Sequence, residues 1–376
     1  MKILWVSNHS TLPTAYGQQT ALVVPRLRAA GHEVTIFATA GCEGAPERLA
    51  DGTLVLPRLR DRFGNDVVLN HAEFVKPDLV VTLLDPHVLL PEVYGKLPWC
   101  AYAPIDCAPP RAAAIRALRA ARWIWSPSAF GARQIEYAVE RPVRHVPHGV
   151  DPGIFHPGDR TEARRRLTAL GFDEEDFLVS MVAANREDPP RKGFDEALAA
   201  LRMFRIEVPE ARLYLHADEQ GVFGGVDLGR LVRRAGVEDR VLFAPQYQLA
   251  CGMLGPPFVA DVYRASDVVL STSHGEGACL PLIEAQMCGT PVLAADNTSQ
   301  TEVTPPASRV LCSPYRMLGE ASARFAPEGV ATLAALRAAR AGRFAAGDVS
   351  RFAIDRVVSE HVLPAIEEIA AEVSTR

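Results

Sequence analysis

The sequence predicts an α/β protein made of two Rossmann-like domains, and three observations predict it. Short continuous runs of Val, Ile and Leu alternate with helix-like segments along the whole chain. That is the pattern of parallel strands covered on both faces. The alternation comes as two series of domain size, separated at His145–Pro157 by HVPHGVDPGIFHP, a stretch dense in Pro and Gly and without a period. The length of 376 residues is long for one core and comfortable for two. A first domain is expected over residues 1–147, a second over 148–350 and a closing helix over 351–376.

In the first series the strands are read at Ile3–Val6, Val34–Ala38, Leu79–Leu83, Cys100–Ala103 and Trp123–Ser126. Helical patterns fall between them at Gly17–Ala30, stopped by Gly31-His32, and at Arg111–Ala121 and Ala129–Val139. The second series has strands at Phe177–Ala183, Arg212–His216, Val241–Phe243, Val268–Ser271, Val292–Ala295 and Val310–Cys312. Its helices are read at Phe194–Glu207, Asp227–Ala235, Phe258–Ala265, Leu282–Cys288 and Val330–Ala341. Arg351–Val373 reads as one long helix that Pro364 should kink. Ligands of open α/β sheets bind outside the carboxyl ends of the strands, so a cleft between two facing sheets is the expected site.

Composition excludes several classes. A net charge of −5 leaves no electrostatic footprint for nucleic acid. The start, MKILWVS, has no positive region and cleavage site, so no signal peptide is expected. The apolar run Leu79–Leu90 is broken by Asp85, Pro86 and His87, too soon for a membrane span. Seven cysteines form no C-x-x-C pair, which fits reduced thiols in a cytoplasmic protein, and the ten histidines show no ligand spacing. No metal or cofactor is expected.

The most informative stretch is His274–Glu302, HGEGACLPLIEAQMCGTPVLAADNTSQTE. Glu276 lies in a glycine-flanked loop; Pro281 should start a short helix with Glu284 in its first turn; Gly289 suits a helix C-terminus. The loop thus ends at a helix N-terminus, whose unpaired N–H groups favour an anion such as diphosphate. Carboxylates near that anion should avoid the phosphates and accept hydrogen bonds from hydroxyls, as vicinal diols supply them. Phosphate cradle and diol-readers together suggest a nucleotide-sugar. Spacing alone would not: Glu360 and Glu368 share the interval of seven intervening residues on a solvated helix.

With its context, the run resembles the E-x7-E signature of retaining glycosyltransferase family 4, roughly EGFGLPxLEAMACGxPVxA. The resemblance implies a GT-B fold, two Rossmann-like domains facing across a cleft, with the last helix crossing back onto the first. It implies retaining, metal-independent transfer of a hexosyl group from a nucleoside-diphosphate sugar to a hydroxyl acceptor. On that reading Glu276 holds the donor sugar, Glu284 the ribose diol, and the amides of Gly277, Ala278, Cys279 and Leu280 meet the diphosphate. The family also carries R-x4–6-K-G after the first strand of its second domain, an Arg and a Lys that bind diphosphate. Here that segment is Asn185–Gly193, NREDPPRKG, and Arg186 and Lys192 match, with Arg191 the alternative bearer. Read without the resemblance, it is either a strand-end loop placed to meet a diphosphate or a charged, solvated loop offset by Glu187 and Asp188.

In the first domain, Asn8–Gln19, NHSTLPTAYGQQ, resembles the family's loop toward donor phosphate and acceptor, with Gly17 alone where the family has paired glycines. Tyr16, Gln18 and Gln19 either read acceptor hydroxyls or cap the loop. The strand-end His87 is similar to a family histidine beside the transferred sugar, or else a packed side chain. Asp106, in APIDCAPP, ends the next strand. Tyr247 is placed to stack on a base or to pack on its own loop. His9 and His148 are assigned to loop and joint. Arg111, Arg116 and Arg119 ahead of Trp123 and Trp125 have the makings of a membrane-surface face, though the tryptophans read more simply as core strand. Competing readings are a sugar-nucleotide epimerase or phosphorylase on a similar scaffold, or a catalytically silent nucleotide-sugar-binding protein.

Overall fold

Strands that are apolar on both sides need cover on both faces, and the chain supplies it twice. In the computed structural model, which describes residues 1–374, contacts divide the chain into two compact units. One holds residues 1–150, 316–323 and the described chain from 351 onward; the other holds 151–315 and 324–350.

The first unit is built on eight strands: β1 (Lys2–Asn8), β2 (Glu33–Glu43), β3 (Glu47–Arg48), β4 (Leu54–Arg58), β5 (Leu79–Leu83), β6 (Trp99–Tyr102), β7 (Trp123–Ser126) and β8 (Arg144–His145). Their order is β3-β4-β2-β1-β5-β6-β7-β8, parallel except that β3 runs against β4. Alternation along β1 divides the core. Ile3 and Trp5 pack with Leu27, Ile36 and Val81 on one face, while Leu4 and Val6 pack with Phe37, Val80 and Trp99 on the other. The first of these clusters also takes in Ile354, Val357, Val362 and Ile366 from the C-terminal segment.

That segment is not the single helix expected from Arg351. It begins at Ile354, and the α-helices Ile354–Val357 and Leu363–Ser374 flank a π-helical stretch, Val358–Val362. Pro364 accounts for this. It brings no N–H to the ladder and its ring needs room against the carbonyl one turn back, room that a widened turn supplies.

The second unit has six parallel strands: β9 (Phe177–Val182), β10 (Ala211–His216), β11 (Val241–Phe243), β12 (Val268–Ser271), β13 (Val292–Ala295) and β14 (Arg309–Val310). Their order is β11-β10-β9-β12-β13-β14. The strand read at Val310–Cys312 is corrected here. β14 stops at Val310, Leu311 is exposed, and Cys312–Arg316 forms β15, paired with β16 (Ala323–Pro327) in a separate two-stranded sheet. Pro314 cannot donate to a central ladder, which suits a strand that has left the main sheet. In each sheet the order reverses beside the first strand of its series, β1 between β2 and β5, β9 between β10 and β12. Such a reversal opens a crevice at the carboxyl ends. Among the described residues, no helix is long and apolar enough to cross a membrane.

All four tryptophans, Trp5, Trp99, Trp123 and Trp125, fall in the first unit, so their fluorescence reports its unfolding alone. Ile354 is fully buried, and Ile354→Ala should cost this unit about 3 kcal/mol through lost burial and the cavity left behind. Glu367→Ala, on the exposed side of the final helix, should stay within about 0.5 kcal/mol of the parent. Denaturant titration followed by tryptophan emission checks both.

Candidate active site

In the second unit the crevice at the reversal is shaped by two loops pressed together. After β9, Asn185 is buried and pins the neighbouring loop: its Nδ2 donates to the carbonyls of Asp218 (2.8 Å) and Val226 (2.6 Å), and its Oδ1 accepts from the Val226 amide (3.0 Å). Gly193 ends the segment at φ +68°, where a Cβ would stand 2.0 Å from the Thr272 carbonyl oxygen. No other residue permits that approach without moving the backbone. Thr272 donates to the Gly193 carbonyl (2.7 Å), and the His274 amide to that of Arg191 (2.8 Å). The loop after β9 is thereby stitched to the loop after β12.

This brings Lys192 to Glu276, with Nζ 2.5 Å from Oε1, and the Arg191 guanidinium to 3.4 Å from Oε2. Glu276 is anchored by its own backbone as well: its amide donates to Thr298 Oγ1 (2.9 Å), and its carbonyl accepts from Ser299 Oγ (2.8 Å). Burial alone would raise the Glu276 carboxyl. The charges of Lys192 and Arg191, with hydrogen bonds from Lys192 and Ser273, overcome that and hold it at about 2. Glu276 is therefore a fixed anion, a hydrogen-bond acceptor only. A small hollow opens here, walled by Lys192, Glu276, Ser271, Ser273, Cys279 and the end of β9.

The helix that follows runs Leu280–Met287, against Leu282–Cys288 read from the sequence, and Cys279 turns into it in the left-handed region at φ +51°. Glu284 thus stands in the second turn, not the first. It is buried, and Tyr263, from the helix Pro256–Ala265, donates to its Oε2 at 2.9 Å. Burial pushes its carboxyl up, with the Tyr263 hydrogen bond pulling the other way, to about 7. Glu284 is not among the residues that wall the hollow.

Other residues read from the sequence lie elsewhere. Arg186 is exposed, its guanidinium 5.6 Å from the ring centre of Phe223. Tyr247 is 76% exposed on the short helix Gln246–Ala250, packed neither on its own loop nor in a core. In the first unit, Thr14 caps the helix Ala15–Ala29 by accepting from the Gly17 amide (3.1 Å). A Cβ on Gly17 would meet the Leu12 carbonyl oxygen at 2.3 Å, so close backbone packing demands this glycine. Tyr16 donates to Asp85 (3.2 Å), which joins the first turn of that helix to the turn Pro86–Val88 bearing the exposed His87. Gln18 and Asp106 are half-buried. Gln19 is committed to the backbone, gripping both the carbonyl and the amide of Gly149 (2.8 and 2.9 Å), so reading acceptor hydroxyls is not its work.

Sequence reasoning missed Thr298, Ser299 and Tyr263, which hold the two glutamates, and Arg324, which pairs with Glu187 at 3.0 Å. None has a local signal; only the fold brings them near.

The folded Glu284 carboxyl titrates at about 7 against an ordinary 4.5, so folding favours its protonated form. The stability this confers is complete below 4.5 and is lost as pH climbs through 7. Glu284→Gln cannot ionise, so it should match the parent near pH 5 and exceed it near pH 8 by about 2 kcal/mol. Thermal unfolding at the two pH values checks this; equal melting near pH 8 would mean the carboxyl is solvated.

Residues 168–325, which carry both stitched loops, match the family of glycosyl transferases group 1. The D-inositol 3-phosphate glycosyltransferase of Segniliparus rotundus is 36% identical over 205 residues, 53% of this chain and 43% of that protein. That of Actinosynnema mirum is 37% identical over 156 residues, 40% of this chain and 34% of that protein. The chain thus spans less than half the length of these relatives. Among solved structures, sucrose-phosphate synthase from Thermosynechococcus elongatus superposes with a TM-score of 0.70 at 18% identity, over 100% of this chain and 98% of that one. Anabaena HepE in complex with UDP-glucose gives 0.65 at 17% identity, with both chains fully covered. The fold of this chain is GT-B.

Proposed function

We propose that the chain is a retaining glycosyltransferase of family 4 that moves a hexosyl group from a nucleoside-diphosphate sugar to a hydroxyl acceptor without a metal. The observation that carries the reading is the cluster of buried Glu276 with partly buried Lys192 and Arg191 at the start of the helix Leu280–Met287, beside the hollow. Supporting it are the matched segment 168–325 and the UDP and UDP-glucose held by Anabaena HepE.

The cluster suits the chemistry. Breaking a glycosyl–phosphate bond leaves negative charge on the diphosphate, and cations fixed in a dry site stabilise that charge without reorganising. Lys192, a mobile point charge, can be shared between Glu276 and a phosphate oxygen. The amides of Gly277–Leu280 add the helix-start contribution. Glu276, kept ionised, accepts hydrogen bonds from the donor sugar's hydroxyls. Glu284 takes the ribose diol, and with Tyr263 on one oxygen it offers the other. The departing phosphate takes the acceptor's proton as the acceptor attacks from the same face. Charge neutralisation by Lys192 and Arg191 leaves no step that requires a metal.

The test is a thermal-shift panel of UDP-, GDP-, ADP- and TDP-sugars against the full chain, since a ligand that binds only the folded state raises its melting temperature. One of them should stabilise it, and product analysis should show an α-linked product from an α-linked donor. No shift with any of the four would end the reading. Lys192→Ala should lower turnover by about a hundredfold or more with the fold intact by circular dichroism. EDTA should leave the rate unchanged, and strict metal dependence would contradict the charge-neutralising account.

A further inference from the structure

Two arginines in Asn185–Gly193 compete for the role of diphosphate-binding guanidinium, and their surroundings differ. Arg186 points to the exposed ring of Phe223. Arg191 is largely buried, its Nε 2.8 Å from Glu187 Oε1 and its Nη1 donating to the Gly275 carbonyl and lying 3.4 Å from Glu276. Glu187 thus takes one edge of the fork and turns the other onto the Glu276 loop. Glu187 is itself held: its second oxygen sits 3.0 Å from Arg324 Nη1, whose side chain is only 7% exposed.

Arg324 in turn belongs to a strand laid along the same loop. The Phe325 amide donates to the His274 carbonyl (3.0 Å), and Asn297 Nδ2 ties the Phe325 and Ser273 carbonyls together, each at 3.0 Å. The result is an alternating row: Lys192, Glu276, Arg191, Glu187, Arg324. A half-exposed glutamate such as Glu187 is held more firmly when a buried cation pairs with it. Arg324 is that cation.

We infer that Glu187 and Arg324 are positioning residues for the Arg191 guanidinium of the proposed site, Arg324 acting through Glu187. This rests on the proposed nucleotide-sugar site.

The experiment is calorimetric titration of the full chain with whichever of UDP, GDP, ADP or TDP binds the wild type, in a mutant cycle. Arg324→Met and Glu187→Gln should each weaken binding about tenfold, with Arg324→Lys recovering part of the loss, because groups joined in one charge network couple on this scale. In an Arg191→Met background, Arg324→Met should cost at most about twofold more, since nothing is left to position. A purely structural Arg324 would instead show the same loss in both backgrounds, which overturns the inference, as would unchanged binding in the single variants. If Arg324→Met does not fold, Glu187→Gln at its half-exposed position carries the same cycle. A wild type that binds none of the four nucleotides overturns the nucleotide-sugar reading and this inference with it; a wild type that binds while the variants match it overturns the inference alone.

Discussion

A carboxylate sealed beneath a loop stays ionised only while cations stay beside it, and Glu276 organises the second unit around that requirement. Moving one such ion out of water costs several kcal/mol even after relaxation. Here Lys192 and Arg191 offset that cost at 2.5 and 3.4 Å. They reach it because Gly193 lets the loop after β9 lie flat on Thr272, and because the His274 amide is bonded to the Arg191 carbonyl. Without the glycine the backbones part, and the cations part from the carboxylate. A conformational property of one residue therefore sets an electrostatic property of another more than eighty positions away.

Glu276 and Glu284 show how environment sets identical groups apart. Glu276 has cations and is held at about 2; Glu284 has a tyrosine hydroxyl and an apolar cover and rises to about 7. Carboxyls pushed apart in this way serve different chemistry at one pH. Glu276 offers only acceptor oxygens. Glu284 near neutrality exists in both forms, and its protonated form can donate as well as accept.

Much of the fold was legible because its strands are continuous apolar runs closed by polar or Gly-rich loops. Leu79–Leu83, Trp123–Ser126, Val241–Phe243, Val268–Ser271 and Val292–Ala295 have the bounds read from the residues alone. What was not legible depended on partners. Leu54–Arg58 contains Pro57 and pairs as β4 beside β2, where the sheet, not the sequence, makes it a strand. Arg160–Arg166 is nearly all polar and helical because Asp159 caps it and Arg164 is buried against the carbonyls of Ala265 and Asp176. At the site, Lys192 and Glu276 were readable from context, but their direct pairing was not. A charged loop looks the same in sequence whether it faces water or a carboxylate.

Cys279 shows where local rules yield to the site. The run that this segment resembles has glycine at that position, and the backbone here retains the conformation glycine favours, φ +51°. Holding a cysteine there costs on the order of 1 kcal/mol. The thiol is buried and lines the hollow, and burial beside the Glu276 charge keeps it protonated. A protonated thiol is a small apolar wall with little reactivity. The chain thus keeps the turn that aims the helix start at the hollow and fills with sulfur the space that a glycine would leave open. Shape was changed and charge was not, which is what a site built on the balance between Lys192, Arg191 and Glu276 permits.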